Sequence, residues 1–69
     1  MNTLAKQLGK KISQIRRKRK MTSEHLAYGN DISKGYLSDI ENGKRLPTLK
    51  MLERLAKALH VELKEFFDF

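Results

Sequence analysis

Apolar residues along this chain recur every three or four positions and never alternate with polar ones for long enough to mark a strand. The cleanest stripe is Leu52, Leu55, Ala56 and Leu59, at i, i+3, i+4 and i+7. It predicts a helix from about Leu49 to Leu59, capped by Thr48 directly after Pro47. Leu8, Ile12 and Ile15 share one face of an earlier helix, Leu4 to Lys20, whose start Asn2 or Thr3 can cap through a side-chain oxygen. Between these two stretches the pattern predicts a pair of short helices. One runs from Ser23 to Gly29, with Thr22 as N-cap and Leu26 and Ala27 inward. The other runs from Lys34 to Glu41, with Ser33 as N-cap and Leu37 and Ile40 inward beside Ile32 from the turn. Gly29, Asn30 and Asp31 break the first of the pair, because Asn and Asp tolerate left-handed backbone better than most residues. Asn42-Gly43 ends the second, as a left-handed Gly beyond the last turn commonly does. A last short helix, Leu63 to Phe67, follows Glu62, a weak capping residue. Gly9 lies inside the first helix, where it costs about 1 kcal/mol relative to Ala, so the early part of that helix is expected to fray.

The pattern therefore predicts an all-α fold of five helices, one domain over residues 1–69. A chain this short buries a smaller share of its surface than a larger domain, which argues against an elaborate active site. The absence of cysteine excludes a disulfide framework, a thiolate zinc site and a cysteine nucleophile. No stretch approaches the roughly 20 apolar residues of a membrane span, and no positive-then-apolar leader opens the chain. A cytoplasmic protein is expected. His25 and His60 have no companions at metal-ligand spacing, and Asp39 and Glu41, two apart on a helix, point in different directions. With no Gly-rich phosphate loop and no nucleophile-base set, no metal, no cofactor and no enzymatic activity is expected.

Charge sharpens this picture. The net charge is +7, and its distribution is uneven. Residues 1–23 carry eight basic side chains and no acidic one, whereas residues 24–69 carry seven basic and eight acidic. Such asymmetry points to a polyanion, either nucleic acid or an anionic membrane surface. A solvated helix face accounts for part of it, and cations at the end of a helix complement its dipole. Five consecutive cations from Arg16 to Lys20 nevertheless repel one another and invite counterions.

The two short helices, joined by only a few residues, match a helix-turn-helix over about residues 23–41. The run from Leu26-Ala27 through Ile32-Ser33 to Leu37-Ser38-Asp39-Ile40-Glu41-Asn42-Gly43 resembles the Cro/repressor-like family, the xenobiotic-response-element class of small bacterial and phage regulators. The flanks agree: Ile12, Ile15 and Arg16 in the first helix, Gly43-Lys44-Arg45 before Pro47, and Leu52, Leu55, Ala56, Leu59, Val61 and Leu63 behind. The resemblance covers about residues 8–67. This chain departs from the family pattern at Asp31, where Gly is usual in the turn, at Ser23, where Gln is frequent, and at Gly35, a position that often supplies a base-reading side chain.

The resemblance implies a sequence-specific DNA-binding transcriptional regulator, most simply a repressor, that binds double-stranded DNA as a homodimer with half-sites about 34 Å apart. It implies that Ser33, Lys34, Tyr36, Ser38 and Asp39 face the major groove, where Lys suits guanine O6 or N7 and Asp suits cytosine N4. It implies phosphate contacts from Arg16, Arg19, Thr22 and Ser23, and from the loop of Asn42, Gly43, Lys44 and Arg45, by free amides and cations. Arg16 and Glu41 are expected to pair. Phe66, Phe67 and Phe69 crowd the C-terminus, and a dimer interface is expected there, with Phe66 the best placed to reach the core beside Leu63. Two rivals remain: an antitoxin-like module whose aromatic tail holds a partner protein, and a basic amphipathic membrane binder, whose apolar face the core would consume.

Overall fold

A computed structural model describes residues 3–69. Its elements are α1 (Thr3–Lys18), α2 (Ser23–Gly29), α3 (Lys34–Glu41), α4 (Leu49–Leu59) and a 3₁₀ turn (Leu63–Phe67), with no strand among the described residues. The fifth predicted helix is thus a tighter i→i+3 turn. Glu62, weak as a cap, recovers part of that role by donating its N–H to Glu65 Oε2 at 2.9 Å. Asn2, one candidate cap of α1, lies outside the described residues, and Thr3, the other, is already helical. Thr22, Ser33 and Thr48 accept from the third residue beyond them, His25 N, Tyr36 N and Met51 N, at 3.0–3.1 Å.

All four helices stop in the same way. An N–H two or three residues past the helical end reaches back five residues, from Met21 to Arg16 O, Ile32 to Ala27 O, Lys44 to Asp39 O and Val61 to Ala56 O, at 2.8–3.1 Å. Each such closure needs a left-handed residue just before it, supplied by Lys20 (φ 57°), Asp31 (φ 55°), Gly43 (φ 75°) and His60 (φ 58°). Only Gly43 adopts that conformation without a side-chain penalty. The left-handed Lys20 ends α1 at Lys18, two residues before the predicted boundary.

Leu8, Ile12, Leu26, Ala27, Leu37, Ile40, Leu52, Leu55, Ala56, Leu59 and Phe66 form one core to which every element contributes. Helix α1 packs along α3, while α4 and the 3₁₀ turn close the other side. Two expectations are corrected here. Gly9 is buried and does not mark a fraying end: a Cβ there would lie 2.1 Å from Ile40 O and 2.9 Å from Glu41 O. The backbones of α1 and α3 approach so closely that only glycine fits. Phe66 was expected at a dimer surface, but its exposure is 0%, because it fills the space between α1 and α4.

Candidate nucleic-acid interface

Helices α2 and α3 are separated by residues 30–33. Asp31 takes the left-handed conformation that turns the chain. The turn is also held from within, in a way that no sequence pattern marked. Asn30 is buried, donates Nδ2–H to Leu26 O at 2.8 Å, and its own carbonyl accepts from Arg54 Nη2 on α4. The angle between the two short helices is therefore set by α4 as well as by the turn.

Arg16 and Glu41 form the expected pair. Arg16 Nε donates to Glu41 Oε2 at 2.7 Å and Nη2 to Oε1 at 3.0 Å, a fork that fixes both direction and distance. Nη1 donates to Met21 O at 2.8 Å. The two side chains are only 12% and 11% exposed. The hydrogen bond to Glu41 raises the Arg16 pKa further above its ordinary value. One guanidinium thus ties α1, the loop before α2 and the end of α3 together. Its fork is spent inward, which makes Arg16 a brace between these elements.

On the exposed side of α3 the predicted readers lie beside partners. Lys34 Nζ is 3.0 Å from Glu24 Oε2 on α2, and that hydrogen bond holds the Glu24 carboxyl below the usual carboxylate range. Asp39 Oδ2 is 3.4 Å from Arg45 Nε, and the Arg45 guanidinium also sits 5.8 Å from the centre of the Tyr36 ring. Ser38 receives Asn42 Nδ2 on both its carbonyl, at 2.9 Å, and its hydroxyl, at 3.2 Å. Ser33 Oγ is occupied as an acceptor by the cap, while its O–H is left to donate. The structure brings Ser33, Lys34, Tyr36, Ser38 and Asp39 onto one short helix and its cap. Glu24, which the sequence reading passed over, joins them.

The loop after α3 differs from expectation at Gly43. Its N–H is not free: it donates to Ile40 O at 3.1 Å, and the N–H groups of Lys44 and Arg45 both turn back to Asp39 O. Gly43 serves by conformation, and the stem of Lys6 on α1 packs directly against it, so that a Cβ there would lie 2.7 Å from Lys6 Cγ. What the loop offers a phosphate is therefore side-chain charge, from Lys44 and Arg45. Thr22 and Ser23 stand at the start of α2; Ser23 Oγ donates to Glu24 Oε1 at 3.3 Å. Arg19 donates Nη2–H to His60 O at 3.1 Å, which ties the basic end of α1 to the end of α4.

The C-terminal aromatics divide. With Phe66 inside, Phe67 and Phe69 are 40% and 55% exposed. Beside them an open groove of about 680 Å³ runs between α1 and the 3₁₀ turn, lined by Lys11, Lys18 and Arg19 opposite Glu65 and Asp68. Among the described residues no three acidic or histidine side chains gather as metal ligands, and no helix is long and apolar enough to cross a membrane.

Known proteins share both sequence and shape with this chain. A helix-turn-helix family model matches residues 12–66. The control protein C.BamHI of Bacillus amyloliquefaciens is 41% identical over 69 residues, an alignment that covers 99% of this chain and 85% of that protein. The crystal structure of the restriction-modification controller protein C.AhdI from Aeromonas hydrophila superposes with a TM-score of 0.88 at 27% identity, over 91% of this chain and 96% of that one. The restriction-modification controller protein C.Esp1396I, solved as a tetramer in complex with its natural 35 base-pair operator, superposes with a TM-score of 0.86 at 35% identity, over 99% of this chain and 90% of that one.

Proposed function

This chain belongs to the helix-turn-helix family, and from that premise we propose a division of labour by which it recognises DNA. It is a sequence-specific DNA-binding transcriptional regulator that acts on double-stranded DNA, as a homodimer on a two-fold operator, most simply to repress. Helix α3 enters the major groove, and Lys34, Tyr36, Ser38 and Asp39, with the Ser33 hydroxyl at its cap, meet the base edges there. Lys44 and Arg45 after α3, Thr22 and Ser23 before α2, and Arg19 at the end of α1 meet the phosphates on either side. Asn42 keeps Ser38 in place, and Arg16 and Gly43 hold the frame on which those contacts depend. The excess charge of α1 attracts the polyanion without reading it. A regulator of this kind works where its operator lies, in the cytoplasmic nucleoid.

The observation that carries this reading is the bidentate Arg16–Glu41 pair, because it fixes the reading helix to the cationic helix at a single relative position. The test is a selection from random duplexes, followed by binding measurements at several salt concentrations. A recovered palindrome is the expected result; if no sequence outcompetes bulk DNA, specific regulation is wrong. Asp39→Ala should change the preferred base at one position. Lys44→Ala should weaken all sequences alike and flatten the salt dependence by about one unit.

The exposed Phe67 and Phe69 support a contact between copies at the C-terminus, and they equally suit a partner protein in the manner of an antitoxin. Sedimentation of the purified chain separates the two. Concentration-dependent dimers that Phe67→Ser abolishes favour self-association. A monomer that also binds DNA singly removes the homodimer.

A further inference from the structure

The reading face carries a carboxylate where a polyanion must approach. Glu24 projects from the first turn of α2 beside Lys34, the first residue of α3. A negative charge close to phosphates weakens binding of every sequence, so its presence there calls for a compensating use. The geometry points to Glu24 as a positioning residue for base recognition: it holds the Lys34 ammonium over the groove and away from the phosphates. The inference rests on the reading of Lys34 as a base contact.

An unpaired lysine on an exposed surface is a poor reader. Its four-carbon stem is flexible and its ammonium is a point charge, so phosphate oxygens on either side compete for it against guanine O6 and N7. Lys34 is 63% exposed, and apart from Glu24 no side chain among the described residues is bonded to its ammonium. The carboxylate takes one of the three ammonium protons at 3.0 Å and leaves two, the number that guanine O6 and N7 accept. Contact with base and carboxylate can thus be simultaneous. Glu24 is itself restrained by the Ser23 hydroxyl on its other oxygen, at 3.3 Å. The lowered pKa of the Glu24 carboxyl is consistent with a pair that persists in solution. The same charge that steers Lys34 repels phosphate, so Glu24 raises the ratio of specific to non-specific binding from both sides.

The experiment measures binding of the full chain by fluorescence anisotropy. The duplexes are the selected operator, the operator with each base pair changed in turn, and a random duplex. The chains are the wild type, Glu24→Gln, Lys34→Ala and the double variant. Glu24→Gln keeps shape and an acceptor while removing the charge, and its side chain is exposed, so an unchanged circular-dichroism melt confirms the fold. The expected result has three parts. Glu24→Gln binds the random duplex more tightly, by about twofold to fivefold, the worth of one surface charge. It loses about fivefold or more in preference at the base pair where Lys34→Ala also loses preference. The double variant shows no further loss of preference. If Lys34→Ala alters a base preference and Glu24→Gln leaves it intact, the positioning role is overturned while the reading of Lys34 stands. If Lys34→Ala alters none, the base contact itself is wrong and the inference falls with it.

Discussion

Replacing Gly9 by alanine sets two physical effects of opposite sign against each other. Helix propensity alone favours the change by about 1 kcal/mol, since glycine costs that much in a helix interior. Tertiary contact opposes it. The new methyl would sit 2.1 Å from Ile40 O and 2.9 Å from Glu41 O, where ordinary contact begins at 3.4 Å. Helix α3 would have to retreat from α1 by about 1.3 Å. The obstacle is backbone, which has no alternative rotamer, and overpacking of this kind costs about 3 kcal/mol. The expected net loss is about 2 kcal/mol. A domain of this size has only about 3–10 kcal/mol in total, so the loss should lower Tm by roughly 8–16 °C. Urea denaturation followed by circular dichroism measures it directly. The displacement also pulls Ile40 and Glu41 away from Arg16, so operator affinity should fall together with stability. An alanine variant that is more stable than the wild type would refute the close-crossing argument and restore Gly9 as a mere weak point of the helix.

Three further outcomes follow from other parts of the molecule. Arg16→Ala and Glu41→Ala should each cost about 2 kcal/mol, and the double variant clearly less than the sum, because each single change leaves a nearly buried charge without its partner; additive losses in denaturant melts would remove the pair as a unit. Glu24 has a lowered pKa caused first by the Lys34 hydrogen bond, so the small stabilisation from this pair is complete above the ordinary glutamate pKa and is lost as pH falls through the lowered value. A carbon-detected NMR titration should place the Glu24 midpoint below the ordinary glutamate value, and Lys34→Ala should move it upward; no movement would show that the pair does not persist. His60→Gly should stabilise the chain by about 1 kcal/mol, since its left-handed φ of 58° penalises any residue with a Cβ; a lower Tm in a thermal melt would mean that the imidazole contributes more than its backbone strain costs.

The sequence by itself determined what depends on short-range chemistry. The extents of α2, α3 and α4 were legible because each is announced by a Thr or Ser whose hydroxyl takes the third N–H, and each buries residues three and four apart. Two of the four left-handed stops, at Asp31 and Gly43, were legible for the same reason, since turn chemistry is local. The Arg16–Glu41 pair was legible only through the family resemblance, because 25 positions separate its members and nothing in their spacing announces contact. What the tertiary structure alone decided is everything that depends on a neighbour distant along the chain. Gly9 reads as a defect until α3 crosses it. Asn30 reads as a turn former until Arg54 reaches its carbonyl. Phe66 is the best placed of the three aromatics to reach the core beside Leu63, but its complete burial is decided only when α1 and α4 enclose it. Lys20 has no turn propensity of its own and His60 only a modest one; both take left-handed backbone at a cost that tertiary contacts elsewhere offset. Glu24 was invisible as a partner of Lys34 because they are ten positions apart across a turn, and only the angle of the helix-turn-helix brings carboxylate and ammonium to 3.0 Å. Propensity and capping act over a few residues and are written in order along the chain, whereas packing and ion pairing act over a few ångströms and require the chain to fold first.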